Sequence, residues 1–367
     1  MRSRPIRKEI NQQIKRKKML DKEWITTRAI MGNDWAMFYI LVGGREGGKS
    51  YDVTHMYVRQ FLQKGRPFYW LRLTEASKKK LLNNNAEKLI DPDLRRRYNL
   101  DIVTSGDNVY CVTKRAKKDK DGRERILEKK LMARVLDLST FYNDKGTGLY
   151  DKNFLDDEAM YYNIAMDEMN REANERNTFD IVYAFANQIE NIIRSTKKRV
   201  RIICIGNMLE DASDILAAFN FIPEEFGRYY LRSKRCIVDY IEPSEKYLAR
   251  RKGTAADILS GSSSTFTNEI KVDKSLISKA RRHRPTAIIK FSKNKKDWFT
   301  IWDGKIIAQY NNEHQMVIPM RPYLDEVFSL ENRNSVITAF DSRLYTYHTL
   351  IDFKLFQKNL ELLRATR

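Results

Sequence analysis

An eight-residue stretch near the amino terminus has the residue types and spacing of a phosphate-binding loop. It reads GGREGGKS, and the four fixed positions of the pattern G-x-x-x-x-G-K-[S/T] are Gly43, Gly48, Lys49 and Ser50. Glycines let backbone N–H groups turn toward phosphate oxygens, a lysine neutralises the β- and γ-phosphates, and a serine hydroxyl ligates Mg²⁺. We therefore expect this loop to bind ATP and Mg²⁺, with its remaining positions at Gly44, Arg45, Glu46 and Gly47.

The segments that flank the loop have the required strand and helix character. Phe38–Val42 is a short apolar run, and Tyr51–Lys64 has helical apolar spacing that Gly65 and Pro67 end. This order places a helix N-terminus, with its positive dipole end, at the phosphates. The alternative is a glycine-rich turn that binds no ligand.

An acidic pair closes another apolar run further along the chain. Asp167 and Glu168 follow Ile164–Met166, which suits a strand beside the loop strand. There Asp167 would hold the water shell of Mg²⁺, and Glu168 would polarise the attacking water. Such a glutamate favours hydrolysis over kinase chemistry. Asn163 interrupts the apolar run, and the alternative is a solvated turn at the end of a strand.

Asn207 follows the most apolar strand candidate, Val200–Ile205. In an additional-strand ATPase this strand lies between the loop strand and the Asp–Glu strand. The amide of Asn207 would then face the γ-phosphate and sense it. The alternative is an asparagine that caps the following turn.

Strand and helix patterns alternate over the first two thirds of the chain, which predicts a parallel α/β sheet. Further strands are expected at 68–73, 161–169 and 199–208, and helices at 77–90 and 179–194. Two β-rich runs within 109–138 predict a hairpin whose tip is Asp121–Gly122.

The composition changes after this region. Residues 250–266 are rich in glycine and serine, as in a linker. Residues 287–312 alternate like an antiparallel meander with a turn at Asp303–Gly304, and 343–364 is helical in pattern. We divide the chain into a basic arm (1–35), a P-loop ATPase domain (36–244), a linker (245–280) and a C-terminal domain (281–367).

The net charge is +20, from 68 Lys and Arg against 48 Asp and Glu. It indicates a polyanionic partner such as nucleic acid, because lysine and arginine side chains that bind phosphates release condensed counterions; the alternative is a generally basic protein.

The 42% hydrophobic share excludes wholesale disorder. No apolar run is long enough for a membrane span, and Cys111, Cys204 and Cys236 lack zinc spacing. These features indicate a reduced, cytosolic protein that does not enter a membrane.

Taken together, residues 36–367 resemble the genome-packaging ATPases of tailed phages, of the small φ29 type. Arg45 is similar to the arginine in the third place of that family's phosphate loop, and FYWLRL ends in Arg72 as the family's next strand ends in an arginine. LSTFYNDK resembles a segment with a lysine, here Lys145, that precedes the Asp–Glu strand. The runs IAMDEM, IIRSTKKRVRIICIGNM and WFTIWDG fall in the family's order.

The resemblance implies an additional-strand P-loop ATPase domain with a small RNase H-like α+β C-terminal domain. It implies a homo-oligomeric ring, of five subunits, that drives double-stranded DNA into an empty capsid by ATP hydrolysis. Such a ring works in the host cytoplasm, docked for a time at the portal vertex. Whether a scaffold RNA takes part is left open.

In such rings, an arginine of one subunit completes the pocket of its neighbour. Arg194 matches that position best, while Lys197 and Arg199 stay open as alternatives. Three basic clusters are candidates for DNA contacts, and Lys145 is a candidate for a DNA or inter-subunit contact; each cluster could also be a solvated face. The cluster members are Lys78, Lys79 and Lys80; Lys114, Arg115, Lys117, Lys118 and Lys120; and Arg250, Arg251 and Lys252.

The C-terminal domain is not expected to cut DNA. Two-metal cleavage needs several carboxylates that converge on the ions, and the carboxylates there are sparse: Asp297, Asp303, Asp325 and Asp341. Two alternative functions are compatible with the motifs. One is a helicase or AAA-type remodelling ATPase, and the other is a nucleic-acid-binding assembly protein that uses ATP as a structural switch.

Overall fold

The structure is a computed structural model. It describes residues 33–116, 125–144, 161–170, 179–194, 199–207, 213–260, 276–277, 285–290, 298–302, 306–310 and 330–365. These residues form two compact units. The first contains the described residues up to 207 together with 225–260, and the second contains 213–224 and the described residues from 276 onward.

A nine-stranded sheet forms the centre of the first unit. Its strands are β1 (Phe38–Val42), β2 (Phe68–Arg72), β3 (Ile102–Ser105), β4 (Asn108–Arg115), β5 (Ile126–Asp137), β6 (Tyr162–Asp167), β7 (Val200–Gly206), β8 (Gly227–Leu231) and β9 (Cys236–Tyr240). They lie in the order β3-β4-β5-β2-β6-β7-β1-β9-β8. The six strands from β5 to β9 in this order pair in parallel, and β3, β4 and β8 add antiparallel pairs at the edges. The predicted parallel α/β sheet is confirmed, and β7 is the additional strand between β1 and β6.

The helices cover the sheet and complete the second unit. In chain order they are α1 (Lys49–Lys64), α2 (Glu75–Ala86), α3 (Pro92–Tyr98), α4 (Ile181–Ile193), α5 (Asp214–Ala218), α6 (Glu245–Arg251), α7 (Ala255–Ser260), α8 (Leu330–Asp341) and α9 (Leu350–Ala365). Among the described helices, none has both the length and the apolar character that crossing a membrane requires.

The core of the first unit explains why its central strands are so apolar. Strands covered on both faces read as continuous hydrophobic runs, and every residue of β2, β6 and β7 is buried. Asn163, the polar interruption in β6, is fully buried, and its amide donates to Gln60 of α1 at 2.9 Å. Asn163 therefore links β6 to α1, the helix that follows the phosphate loop.

The second unit is a small α+β domain. Strands β10 (Pro285–Lys290), β11 (Trp298–Trp302) and β12 (Ile306–Tyr310) form the predicted antiparallel meander, and β13 (Tyr345–Tyr347) pairs in parallel with β12. Its buried core includes Phe299, Tyr347 and Phe356. The predicted turn at Asp303–Gly304 lies outside the described residues.

Two parts of the fold differ from the sequence-based expectation. The predicted helix at 343–364 begins instead with β13, because Tyr345 and Tyr347, two residues apart on one face of a strand, both point into the core of the second unit. The predicted linker begins as helices, since α6 is capped by Ser244 and buries Tyr247 in the first unit. The glycine- and serine-rich residues after α7 fall outside the described residues.

Candidate nucleotide-binding site

The phosphate loop connects β1 to α1 at the carboxyl end of the parallel strands. Carboxyl ends of parallel strands meet at one edge, which is where ligands bind in open α/β sheets. A pocket at this edge is lined by residues from the loop, from the first turns of α1 and α2, and from the ends of β2, β6 and β7. They are Arg45, Glu46, Gly47, Gly48, Lys49, Ser50, Tyr51, Leu73, Thr74, Ser77, Asp167, Glu168, Asn170, Ile205, Gly206 and Asn207.

The loop presents the start of α1 to this pocket. Gly48 caps the helix with φ 85°, in the left-handed region that favours glycine. Because glycine has no side chain, it cannot cover the first N–H groups of α1. Those groups and the positive dipole end of the helix form an anion-binding site.

Lys49 lies buried inside the loop. Its ammonium donates to the carbonyl oxygens of Gly43 and Gly44 at 2.8 and 2.7 Å and to Oδ1 of Asn207 at 3.1 Å. Burial lowers the pKa of Lys49 to about 8; Asp167 opposes this shift, and Arg45 adds to it. The ammonium is thus positioned for phosphate oxygens, and anionic ligands would favour its charged form.

Ser50 and Asp167 form an oxygen donor pair. The Ser50 hydroxyl donates to Oδ1 of Asp167 at 3.0 Å. A hydroxyl and a carboxylate are hard oxygen ligands of the kind that Mg²⁺ binds together with nucleotide phosphates. The donor set therefore fits the Mg²⁺ site predicted from the sequence.

Arg72 holds both residues of the acidic pair. Its guanidinium lies 2.8 Å from Oδ2 of Asp167 and 2.5 Å from Oε2 of Glu168, and only 11% of its side chain is exposed. The Glu168 side chain is 57% exposed, and its φ of 57° is in the left-handed region. The sequence predicts Arg72 as a nucleotide-binding residue; the structure places it outside the pocket lining, against the acidic pair that lines the pocket.

Asn207 is brought to Lys49, as the strand order of an additional-strand ATPase predicts. Its own carbonyl accepts a hydrogen bond from Asn170 at 2.9 Å, so the ends of β6 and β7 are joined. Gly206 permits this approach, because a Cβ there would lie 2.8 Å from the Met169 side chain. The sequence-based interpretation missed Asn170, which has no motif of its own.

Sequence reasoning also missed three further polar side chains of the pocket wall. Thr74 and Ser77 form a capping box at the start of α2, in which Ser77 stands where the usual sequence pattern has glutamate or glutamine. Tyr51 donates its hydroxyl to Asp93 of α3 at 2.5 Å. No local pattern predicts that contact, because the two residues are far apart in the chain.

Two solved structures share this architecture over nearly the whole chain. One is the Phi-28 gp11 DNA packaging motor, with a TM-score of 0.57 and 16% identity over 93% of this chain and 97% of that chain. The other is the bacteriophage Phi-29 viral genome packaging motor assembly, with a TM-score of 0.60 and 16% identity over 94% of this chain and 100% of that chain. No family model and no curated protein gives a significant match to the sequence.

The chain has the fold of these phage packaging motors. At 16% identity, the likeness is one of backbone architecture. The roles of single side chains therefore depend on the geometry of this chain.

Arg194 lies at the C-cap of α4, is exposed, and has φ 39°. It lies outside the lining of its own subunit's pocket, which is compatible with a role toward a neighbouring subunit. Arg199 pairs instead with Asp34 at 2.5 Å and lies over the ring of Tyr161. Lys145 and Lys197 are outside the described residues, so the choice of the trans-acting residue stays a prediction.

The basic clusters differ in how far their side chains are exposed and unpaired enough to contact DNA. Lys78 lies 3.0 Å from the fully buried carboxylate of Asp137, and 11% of its side chain is exposed, which argues against the predicted DNA contact. Lys79 pairs with Glu75 one helical turn away, and Lys80 is exposed.

In the other two clusters, Lys114 is exposed and Arg115 is paired with Asp101. Lys117, Lys118 and Lys120 are outside the described residues. Arg250 and Arg251 donate to carbonyl oxygens of the phosphate loop, while Lys252 is exposed.

The carboxylates of the C-terminal domain are described only in part. Asp341 pairs with Arg364, and Asp297, Asp303 and Asp325 lie outside the described residues. Among the described residues, no three His, Cys, Asp or Glu side chains are grouped so that they could hold a metal ion.

The pKa of Lys49 predicts proton uptake on nucleotide binding. A pKa near 8 leaves Lys49 mostly neutral at pH 9, and phosphate binding should restore its charge. We expect uptake on the order of one proton per ATP at pH 9 and little at pH 7. Calorimetric titration in buffers of different ionisation enthalpy measures this number.

The matched variant is Lys49→Arg, because a guanidinium stays charged throughout this range. Equal uptake at pH 7 and pH 9, or undiminished uptake in the arginine variant, would assign the proton to another group.

The ion pair of Lys78 predicts a structural role for this lysine. In Lys78→Met the buried carboxylate of Asp137 loses its cation, so the free energy of unfolding should fall by about 3 kcal/mol. The exposed neighbour gives the control, since Lys80→Met should change it by less than about 0.5 kcal/mol. Urea denaturation compares the two variants, and equal effects would refute the assignment.

Proposed function

We propose that this chain is the ATPase subunit of a motor that packages double-stranded viral DNA into an empty capsid. The observation that supports it most is the hydrogen bond between Ser50 of the phosphate loop and Asp167 of the acidic pair. Asn207 lies beside them, in contact with Lys49. The fold that brings these residues together is shared with phage packaging motors. This is the constellation that ATP hydrolysis requires.

Each residue of the pocket has a proposed role in hydrolysis. The loop N–H groups and Lys49 bind the phosphates, and Ser50 with Asp167 would hold Mg²⁺. Bound Mg²⁺ would offset the negative charge that develops on the phosphate oxygens. Asn207, which contacts the Lys49 ammonium, orients that ammonium and senses the γ-phosphate.

Glu168 is the proposed group that orients the attacking water. Its carboxylate is held at 2.5 Å by Arg72, so this ion pair must loosen before Glu168 can accept a proton from water. The mostly exposed side chain of Glu168 has room to rotate. Asp167 offers Oδ1 toward Ser50 and Oδ2 toward Arg72, so Arg72 can stay bound to Asp167 as Glu168 turns.

Double-stranded DNA is the proposed cargo. A net charge of +20 favours a polyanion, and the contacts are made to phosphates without reading sequence. Of the predicted contacts among the described residues, the exposed Lys80, Lys114 and Lys252 are the ones that we retain as candidates, with Lys79 in a surface ion pair beside them.

The motor is proposed to be a ring of identical subunits, five in number, at the portal of the capsid in the host cytoplasm. Arg194 is the proposed trans-acting arginine, and Lys145 a further contact to a neighbour or to DNA. A C-terminal domain without nuclease activity would bind DNA, the capsid or another partner.

The experiment that tests this function measures ATP hydrolysis with linear duplex DNA and with purified empty capsids that carry a portal. We expect hydrolysis to be fastest with both, and the DNA to become protected from added nuclease. In Glu168→Gln the rate should fall by about 10²–10⁴, while ATP binding, measured by calorimetry, is retained. Lys49→Ala should lose binding.

Other outcomes would favour the alternatives. Strand separation of the duplex without protection would indicate a helicase. Nucleotide binding without turnover in the presence of DNA and capsids would indicate a structural switch. Normal turnover by Glu168→Gln would remove this residue from the mechanism.

Mixing inactive variants tests the ring. If Arg194 acts on its neighbour, Arg194→Ala inactivates the adjacent pocket while Lys49→Ala inactivates its own, and each alone should lose about 10³–10⁵ in rate. Mixed subunits contain some interfaces with both groups intact, so part of the hydrolysis should return. Steady-state hydrolysis over a series of mixing ratios measures the recovery.

Arg199→Ala is the control, because Arg199 is engaged with Asp34 in its own subunit. Full activity of dilute monomeric Arg194→Ala would refute the trans role. If Arg199→Ala were inactive alone and its mixture with Lys49→Ala recovered hydrolysis, the trans-acting arginine would be Arg199 and not Arg194.

A further inference from the structure

Helix α6 lies against the outer side of the phosphate loop, although the sequence pattern assigned its residues to a linker. We propose that α6 positions the loop for phosphate binding, with Tyr247 as the central positioning residue. This inference rests on the proposed function of the site, because it concerns how the same loop holds its nucleotide.

Three side chains of α6 donate hydrogen bonds to carbonyl oxygens of the loop. The Tyr247 hydroxyl donates to the carbonyl of Arg45 at 2.6 Å, and Arg251 donates to the same oxygen at 3.2 Å. Arg250 donates to the carbonyl of Glu46 at 2.8 Å. Tyr247 and Arg251 are each 4% exposed, so their bonds to the Arg45 carbonyl are largely sheltered from water, whereas the bond of Arg250 is exposed.

These bonds determine where the loop's N–H groups point. In a trans peptide the C=O and the next N–H point in opposite directions. Holding the Arg45 carbonyl toward α6 therefore turns the N–H of Glu46 away from α6. Holding the Glu46 carbonyl toward α6 likewise turns the N–H of Gly47 away from α6. Glu46 and Gly47 both line the pocket.

The backbone at Glu46 explains why such support is needed. Its φ is 60°, in the left-handed region, which is unfavourable for a residue with a side chain. Residues in such conformations persist where surrounding contacts hold them. The bonds from α6 to the two peptides that flank Glu46, Arg45–Glu46 and Glu46–Gly47, supply contacts of this kind.

The fit between α6 and the loop leaves no room at Gly44. A Cβ on Gly44 would lie 2.6 Å from the Tyr247 hydroxyl oxygen and 3.2 Å from its ring carbon, and these are its nearest contacts. The hydroxyl that supports the loop is thus also the atom that excludes a larger residue at this position. Because one atom has both roles, substitutions at Gly44 and Tyr247 test the proposal when they are combined.

The test measures the dissociation constants of ATP and ADP, each with Mg²⁺, by calorimetry on the full chain in the Glu168→Gln background. Tyr247→Phe removes one oxygen atom and keeps the ring in place. We expect it to raise both constants about fivefold, the size of one lost hydrogen bond. Gly44→Ala should raise them about tenfold or more, because the added methyl displaces the loop or Tyr247.

The double variant Gly44→Ala/Tyr247→Phe is the decisive measurement. Because the clashing oxygen is gone, Gly44→Ala should cost less than about twofold in the Tyr247→Phe background. A merely structural contact would not give this relief in nucleotide affinity. The proposal would be overturned if Gly44→Ala weakened nucleotide binding equally in both backgrounds, or if Tyr247→Phe bound nucleotide as tightly as its Glu168→Gln parent.

Tyr229→Phe is the matched control. Its hydroxyl also donates to a backbone carbonyl at 2.6 Å, that of Glu225, and it lies outside the pocket lining, so its affinity should equal that of the parent. Thermal unfolding confirms that each variant is folded. If the parent protein bound neither nucleotide, the proposed function would fail; if it bound both and Tyr247→Phe did so equally, only the role of α6 would fail.

Discussion

The parallel alignment of β2, β6, β7 and β1 is the constraint on which the candidate site depends. The register pairs Leu71 with Met166, Asp167 with Ile205, and Val42 with Gly206, so these four strands end at nearly the same level. A shift of one residue would turn each terminal side chain to the other face of the sheet.

Within this frame, the charges of the site are arranged in two connected groups. Lys49 is buried among oxygen acceptors of the loop and Asn207, and Arg72 is nearly buried against two carboxylates. Asp167 connects the groups, since one of its oxygens accepts from Ser50 and the other from Arg72. Because these ionic contacts share partners, a change in one of them, such as the binding of phosphates or a metal, alters the others.

The phosphate loop is supported from two directions. On the side of the sheet, Gly43 donates to Gly206 at 3.2 Å, and on the outer side α6 holds the carbonyls of Arg45 and Glu46. The helix follows β9 closely in the chain, so a loop near the start of the first unit is held by a helix near its end. This explains how a non-glycine residue is kept in the left-handed region at the centre of the loop.

The sequence by itself determined the local parts of this protein. The phosphate-loop motif, the β1 run and the acidic pair at the end of β6 are contiguous patterns, and the structure has them at the predicted residues. The additional-strand order could also be predicted, because it followed from the resemblance of the whole series of motifs. Pairings between distant residues were decided by the tertiary structure alone. Arg72 with Glu168, Lys78 with Asp137, and Tyr247 with Arg45 depend on the register of strands and the packing of helices, which no local spacing of residues encodes.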